Sequence, residues 1–480
     1  MPIDPTTKHT LYNEYADQWQ QNVDFAEMRK SVLDEGTYLD RWGDDPKEVI
    51  SQYNLRKKMS MTLDLSPDLI EMRLTELFRV APKRSFEESP YRAQIERFLE
   101  NADTGGTSMD AFMRRSSKMM LVNGIDILVD KTVSEIEPLT AMDENTLPFL
   151  SGFGPLERYD WAVDHAGRYI WVMYFLGEEA AQEPGDESEG VKRYVLYTRD
   201  SVTVYSVDSD GNQTSETRPH TMGLVPVVQL YWGRSIHVDQ KAIAISLMDE
   251  LAPLARYMLN LVSQGQFDLY MTVAFFVAIG LTPDEVSSAV GAGIIKTIPI
   301  AEGDFKPIVT QVDHIKEKGA WIDRLMVTMM RKGKLLGLNA SLEGRASSGV
   351  QVMVEASPLH SELSSVADML GAADQEIVRL AISRVEGKPI TLDELGYTAV
   401  YNKVYTLQSP KALIEEAKQL MDVAGIEEVS SLGRLQFRKI LDVLARPGSK
   451  EHKEALEQLE AFNGTSIIPS LPPVEDGDDT

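Results

Sequence analysis

The sequence predicts an α+β fold that is mainly helical, and three stretches support that prediction. Residues 1–120 and 242–385 repeat apolar side chains three and four positions apart, which is typical of helices with one buried face. Residues 155–233 instead concentrate β-branched and aromatic residues in short runs separated by turn residues, as strands do. Blocks of helix and blocks of strand that follow one another are typical of the α+β class.

Composition limits the kinds of protein that this chain can be. Its 480 residues are enough for two to four domains, and a hydrophobic content of 43% is enough to build a buried core. The absence of cysteine excludes disulfides, thiolate metal sites and cysteine nucleophiles. A net charge of −26 repels nucleic acid at long range, which argues against a sequence-reading DNA-binding module. It leaves open a protein through which DNA slides.

The elements of the first half follow one another in a definite order. Helical spacing in 69–77 and 95–99 is followed by a helix from Asp110 that ends at Gly124, and then by an alternating strand at 125–130. Further strands are predicted at 168–176, 193–198, 201–207 and 222–233, where Pro226 indicates an edge or a strand start. A turn is predicted at 209–212, and a solvated loop at 178–190, which carries six carboxylates.

The second half is organised around long helices. Helical patterns are predicted at 242–266, over a length of about 37 Å, and at 311–336. They flank a small α/β insert of about forty residues. This order predicts an antiparallel pair of helices with the insert at its tip. A Gly/Ser-rich mobile loop at 337–349 precedes a third helix at 350–385, in which Pro358 predicts a kink. A strand at 398–407, a helical region to about residue 462 and a disordered acidic tail are expected to follow.

Catalytic and metal-binding signatures are nearly absent from the sequence. It contains no P-loop, and the seven histidines lack metal-ligand spacing, so no cofactor and no metal are predicted. Asp126, Asp130 and Lys131 could form a nuclease-like cluster, but solvent-facing carboxylates are the favoured interpretation. The first residues lack the pattern of a signal peptide, and the longest apolar run, 271–281, is too short to span a bilayer. We therefore expect a soluble, cytoplasmic protein.

One basic segment stands out in this acidic chain. Residues 324–345 carry a net charge of +4, with a single acid at Glu343 and five bases: Arg324, Arg331, Lys332, Lys334 and Arg345. Two interpretations stay open. Bases at the carboxyl end of a helix stabilise the helix dipole by about 0.3–1 kcal/mol each. Alternatively, the same side chains face the phosphates of a nucleic acid.

The order of elements resembles that of the tailed-bacteriophage portal proteins, which form the ring at one vertex of the capsid. Four short stretches carry the resemblance: 119–130, a helix-to-strand passage; 220–231 (HTMGLVPVVQLY); 246–254, at the start of the first long helix; and 347–351, leading into the third. Val350-Gln351-Val352 departs from the family, where alanine is common at that step.

The resemblance implies a division into named parts. These are a wing (1–240, with the kinked helix and returning strand of 350–408), two stem helices (241–266 and 311–336), a clip (267–310), a tunnel loop (337–349), and a crown with an acidic tail (409–480). It also implies a twelve-subunit ring in the virion, assembled in the host cytoplasm, that is not an enzyme. Such a ring passes double-stranded DNA without sequence specificity during genome packaging and ejection. It docks the terminase motor, a head-completion or neck adaptor, and capsid and scaffold proteins, and has no membrane partner.

Candidate site residues follow from this comparison. Bases expected to face DNA as a basic collar are Arg331, Lys332, Lys334 and Arg345; the tunnel loop would contribute Asn339, Ser341, Glu343 and Gly344. Leu251, Leu254 and Met258 are expected at subunit contacts, because one antiparallel helix cannot cover all three. The apolar stretch 270–281 would either pair across subunits or be buried within the clip. The alternatives are another head–tail adaptor or capsid assembly protein and, less favoured, a carboxylate-dependent hydrolase.

Overall fold

A five-stranded sheet and three long helices organise the described part of the chain. The computed structural model describes residues 3–41, 49–103, 105–131, 148–179, 190–220, 222–237, 240–272, 275–279, 294–298, 304–307, 313–334 and 349–403. These residues belong to one unit, which ends at Lys403. None of the helices within these ranges combines the length and the apolar character that a bilayer crossing requires. The mixture of helix and sheet confirms the predicted α+β class.

The helices and strands have the following bounds. The helices are α1 (Thr10–Glu27), α2 (Lys30–Leu33), α3 (Ile50–Met59), α4 (Ser66–Leu77), α5 (Arg92–Glu100), α6 (Met109–Val122), α7 (Met248–Thr272), α8 (Asp313–Lys332), α9 (Gly349–Glu386) and α10 (Leu392–Leu395). The strands are β1 (Lys83–Ser85), β2 (Ile125–Lys131), β3 (Pro148–Phe153), β4 (Arg158–Val163), β5 (Tyr169–Glu179), β6 (Val191–Tyr197), β7 (Ser201–Val207), β8 (Gln213–Pro219), β9 (Val227–Leu230), β10 (Gly233–Arg234), β11 (Ala244–Ile245), β12 (Phe275–Ile279), β13 (Ile294–Ile298), β14 (Asp304–Pro307) and β15 (Thr398–Val400).

The central sheet is an antiparallel meander in the order β4-β5-β6-β7-β8. Strand β7 has the predicted bounds, and it turns into β8 through a loop in which Asp208 accepts the amide N–H of Asn212 at 2.7 Å. Both faces of the sheet bury aromatic side chains, with Trp161 and Tyr174 on one face and Tyr194 on the other. The face that carries Trp161 packs against helix α1.

A second sheet has the order β3-β2-β9, with antiparallel pairing throughout. Strand β9 starts directly after Pro226 and lies at the edge of this sheet, which confirms the prediction made from that proline. Farther along the chain, β12 pairs with β13 in parallel and with β14 antiparallel, so strands do lie between the two long helices α7 and α8. The helical part of the predicted α/β insert lies outside the described residues.

Asp126 corrects one prediction from the sequence. We expected a solvent-facing carboxylate, yet Asp126 is only 2% exposed and lies between the two sheets. Its Oδ2 accepts hydrogen bonds from the hydroxyl groups of Tyr169 and Tyr174, with oxygen–oxygen distances of 2.8 and 3.0 Å. Its Oδ1 accepts one from the hydroxyl group of Tyr231 at 2.8 Å. The buried Arg158 guanidinium approaches the same carboxylate at 3.3 Å. The cluster therefore joins β2 to β4 and β5.

Asp130 lies on the same face of β2, as the alternation of the strand predicts. It accepts a hydrogen bond from Tyr197 and forms an ion pair with Arg384 of α9 at 2.8 Å. The side chain of Asp130 is 25% exposed, so it is neither fully solvent-facing nor buried. The nuclease-like interpretation is not supported, because both carboxylates are occupied by partners from within the chain.

Helix α9 is the longest helix described, with 38 residues. It continues through Pro358 without an interruption, while the predicted bend at that residue stays a prediction. Its buried Asp374 accepts hydrogen bonds from Arg84 of β1 at 2.9 Å and from Tyr397 and Tyr401 at 2.7 and 3.0 Å. These contacts attach α9 to the β1–β15 pair, so the predicted returning strand exists as Thr398–Val400. The expected helical end and tail, from 404 onward, lie outside the described residues.

Helix α1 is attached to the central sheet through His9. The His9 Nδ1 accepts the amide N–H of Leu11 at 3.1 Å, and the ring stacks on Trp161 with the centroids 4.2 Å apart. Burial lowers the pKa of His9; Asp160 opposes this effect and Arg158 adds to it. The fold therefore favours the neutral ring, which alone can accept the capping hydrogen bond.

We expect the attachment of α1 to weaken as pH falls. A histidine whose pKa is lower in the folded than in the unfolded state contributes stability above its unfolded pKa of about 6.5 and loses it below. Amide hydrogen exchange of residues 11–14, normalised for intrinsic rates, should therefore accelerate between about pH 7.5 and 5.5. The His9→Asn variant keeps a capping acceptor without a titrating group, and its protection should stay constant. Equal acceleration in both proteins would refute the role of His9.

Candidate functional site

Helices α7 and α8 form an antiparallel pair, as the sequence predicts. Lys332 forms an ion pair with Glu250 at 2.9 Å at one end of the pair, and Lys318 forms one with Asp268 at the other. The predicted boundaries need correction. Helix α7 begins at Met248 rather than at 242, because β11 pairs with β10. Helix α8 ends at Lys332 rather than at 336.

Leu251, Leu254 and Met258 are the residues expected at subunit contacts. Two of these three side chains are buried within the single chain. Leu251 and Met258 are both 0% exposed. The step from one antiparallel helix to a subunit contact does not hold for these two residues, because α7 packs against α1, α3, α4 and α6 in addition to α8. Leu254 is half-buried, and its contact with another subunit stays a prediction.

The carboxyl end of α8 has a tightly defined backbone. The amide of Gly333 donates to the carbonyl of Met329 at 2.7 Å, and the amide of Lys334 donates to that of Arg331 at 2.9 Å. A Cβ at residue 333 would lie 2.8 Å from Leu69 Cδ2, so a larger residue would require the buried Leu69 side chain to shift. Lys334 has a φ of +56°, in the left-handed region, and this conformation ends the helix.

Arg73 of α4 fixes this end from the interior of the protein. Its side chain is fully buried and donates to the carbonyl of Gly333 at 2.7 Å and to that of Leu69 at 3.0 Å. Its Nε lies 3.4 Å from Glu362 of α9, and the same carboxylate forms an ion pair with Lys334. Burial lowers the pKa of Arg73, and Glu362 opposes that effect. Residues from α4, α8 and α9 therefore meet at one point.

The three DNA-facing candidates that the structure describes lie together at this end of α8. Arg331 is exposed, and the side chains of Lys332 and Lys334 are 46% and 44% exposed. Each lysine pairs with an acid of a different helix, Lys332 with Glu250 of α7 and Lys334 with Glu362 of α9. The other predicted site residues lie outside the described part of the chain: Asn339, Ser341, Glu343, Gly344 and Arg345.

Three residues at this site were not predicted from the sequence. Glu250 could have been found from the antiparallel pairing of the two helices, which places the start of α7 beside the end of α8. Arg73 and Glu362 are 289 positions apart in the chain, and no local pattern connects them. Their contact depends on how α4 packs against α9, which is a property of the tertiary structure.

The buried Asp126 cluster is a second concentration of ionisable groups with unusual surroundings. Burial raises the pKa of Tyr169 and Tyr174 well above the usual range. Burial alone would lower the pKa of Arg158, but the surrounding hydroxyl groups and Asp126 raise it well above its usual value. The space bordered by Asn123, Phe153 and Arg158 is too small to admit water, so this cluster offers no reaction cleft. In the described ranges, acidic residues and histidines form no group that could hold a metal ion.

Comparisons with known proteins found matches among the solved chains of gene transfer agent particles. No family model matches the chain, and neither does any curated protein. The neck of an empty gene transfer agent particle, computed with C6 symmetry, aligns with 85% of this chain and 98% of its own, at a TM-score of 0.39 and 12% identity. A chain from the virion of a native gene transfer agent particle aligns with 86% and 98%, at a TM-score of 0.38 and 12% identity.

Proposed function

We propose that this chain is the subunit of a portal-type ring that conducts double-stranded DNA through the vertex of a phage capsid. The observation that carries the proposal is the antiparallel α7–α8 pair, which has a small mixed sheet between its helices in the chain and a cluster of bases at the carboxyl end of α8. By resemblance to the portal family, we assign the wing to 1–240 with 350–408, the stem to 241–266 and 311–336, the clip to 267–310, the tunnel loop to 337–349 and the crown to 409–480. The end of α7, at Thr272, lies within the clip range.

The charge distribution supports a conduit rather than a DNA-binding surface. A channel wall lined with bases would release counterions at every phosphate that it neutralises. With six to ten such contacts, a modest decrease in salt concentration raises the affinity for DNA by a factor of about 10³–10⁵. DNA would then adhere instead of sliding. A chain with a net charge of −26 repels the duplex along most of its length, whereas Arg331, Lys332, Lys334 and Arg345 would attract it at one level.

Exposed aromatic residues on the long helices support self-association. Tyr257 and Tyr270 of α7 are 55% and 43% exposed, and Trp321 of α8 is 53% exposed. Exposed apolar side chains mark a protein–protein contact where they belong to one contiguous patch, and we propose that these three belong to one subunit contact. If the contact joins different faces of neighbouring copies and the rotation closes, the product is a ring. We assign twelve subunits by resemblance to the portal family.

The proposed partners follow from the same function. The motor that drives DNA inward would be a separate terminase, since this chain contains no P-loop. A head-completion or neck adaptor would bind after packaging, and capsid and scaffold proteins would surround the ring at the vertex. The ring would hence belong to the virion and contribute to packaging and ejection of the genome.

Electron microscopy of the purified full chain tests the proposed assembly. We expect closed rings with an axial channel in negative stain, and a matching large species in size-exclusion chromatography. Trp321→Glu should dissociate the rings without unfolding the subunit, because the side chain is exposed in the single chain. Ile236→Glu, at a residue 91% exposed but outside the long helices, serves as the control and should leave rings intact. A monomer, or a small oligomer without a channel, would contradict the proposal.

A further inference from the structure

The two lysines of the proposed basic collar do not present free charges. Lys332 Nζ lies 2.9 Å from a carboxylate oxygen of Glu250, and Lys334 Nζ contacts a carboxylate oxygen of Glu362. Both lysine side chains are nearly half exposed, so a phosphate could reach either one from solvent. Each would have to exchange an acid of its own chain for that phosphate.

The two acids differ in what else depends on them. Glu362 is 10% exposed and also faces the fully buried Arg73, so its removal would leave a buried charge without its partner. Glu250 is 59% exposed and lies in the first turn of α7, where a glutamine causes little disturbance. Glu250 is therefore the acid whose charge can be removed while the local structure is kept.

We propose that Glu250 is an internal counter-ion that limits how strongly Lys332 holds DNA. This inference rests on the proposed function, since it concerns the same basic end of α8. When Lys332 turns toward a phosphate, the Glu250 carboxylate loses its partner and stays nearby, where it repels the phosphate. An exposed ion pair of this type changes an equilibrium constant by a factor of about 1.5–5. Such a factor, repeated around a ring, separates a duplex that slides from one that adheres.

A double-mutant cycle tests this role directly. Four assembled proteins are compared: the wild type, Glu250→Gln, Lys332→Gln and the double variant. Binding of a labelled linear duplex of about 40 base pairs is measured by fluorescence anisotropy between about 20 and 200 mM salt. Glu216→Gln is the control. It removes the partner of Arg218 on β8, and it changes the net charge by the same amount as Glu250→Gln at a site on the central sheet.

We expect Glu250→Gln to lower the dissociation constant by a factor of about 1.5–5 for each subunit that contacts DNA, and to steepen the salt dependence by about 0.9 per additional phosphate neutralised. In the Lys332→Gln background the same substitution should have no more effect than Glu216→Gln, because the paired charge is absent.

The other outcomes separate the inference from the proposed function. An equal gain in affinity from Glu250→Gln with and without Lys332 would overturn the inference, because Glu250 would then act only through the net charge. No gain in affinity from Glu250→Gln, with weaker binding by Lys332→Gln, would also overturn it and leave the proposed function standing. A failure of all four proteins to bind at the lowest salt would contradict the proposed function, and the inference with it.

Discussion

Replacing Asp126 by asparagine is expected to lower the free energy of unfolding by about 3–5 kcal/mol. The substitution keeps the size of the side chain and removes the negative charge opposite Arg158, whose side chain is only 3% exposed. The guanidinium then stays in the interior with tyrosine hydroxyl groups as its remaining partners. The destabilisation comes from this uncompensated buried charge and not from a reduced packing volume.

The urea midpoint of unfolding, followed by tryptophan fluorescence, measures the effect. Trp161 is a local reporter, since the Arg158 guanidinium lies 4.4 Å from the centroid of its ring. Asp130→Asn is the matched control on the same face of β2. Because Asp130 and Arg384 are 25% and 11% exposed, we expect a smaller destabilisation. Adding Arg158→Met to Asp126→Asn should recover part of the stability, because no unpaired charge is then left. Equal destabilisation by the two substitutions would contradict the assignment of Asp126 as the buried half of an ion pair.

Neutralising the proposed collar with Lys332→Gln, Lys334→Gln and Arg345→Gln should weaken DNA binding at least tenfold at about 50 mM salt. It should also flatten the salt dependence by about 0.9 for each phosphate that is no longer neutralised. Glutamine is preferred to glutamate, because an acid at residue 334 would face Glu362 and disturb the interaction of that carboxylate with Arg73. Ring assembly should be unchanged in electron microscopy.

A charge-matched control separates this local effect from a change in net charge. Lys30, Lys58 and Lys192 are outside the α7–α8 pair, and their joint replacement by glutamine changes the net charge by the same amount. We expect this control to alter binding much less. If both triple variants weaken binding to the same extent, the collar has no special role.

Local patterns predicted the elements of the fold, since they reflect interactions within a few residues. The bounds of β7 and the edge position of β9 after Pro226 follow from alternation and from proline chemistry. The helical period includes Ala244 and Ile245, but these residues pair with β10, so α7 starts later than the period predicts. That pairing depends on a strand from elsewhere in the chain.

Burial was harder to predict than secondary structure. The alternation of side chains along a strand correctly places Asp126 and Asp130 on one face of β2. It does not show that residues of β4 and β5 cover this face at Asp126. In the same way, the apolar spacing of Leu251 and Met258 does not show that four further helices surround α7. At the proposed site, composition identifies Lys332 and Lys334. The predicted antiparallel pair places Glu250 beside Lys332, whereas Glu362 emerges only from the packing of α9.

The topology of the DNA, linear or circular, offers the most direct test of a DNA conduit. A closed ring admits a duplex to its channel only through a free end, so it should discriminate between linear and circular DNA of the same length and sequence. The measurement is the fraction of each DNA that stays bound to assembled protein after a wash at moderate salt, where contacts on the outer surface are screened. A bulky protein attached to both ends of the linear duplex after loading keeps a threaded duplex from sliding out during the wash. A DNA conduit predicts that linear duplex is retained and the covalently closed circle is released. Equal retention of both forms would contradict a channel through which DNA passes.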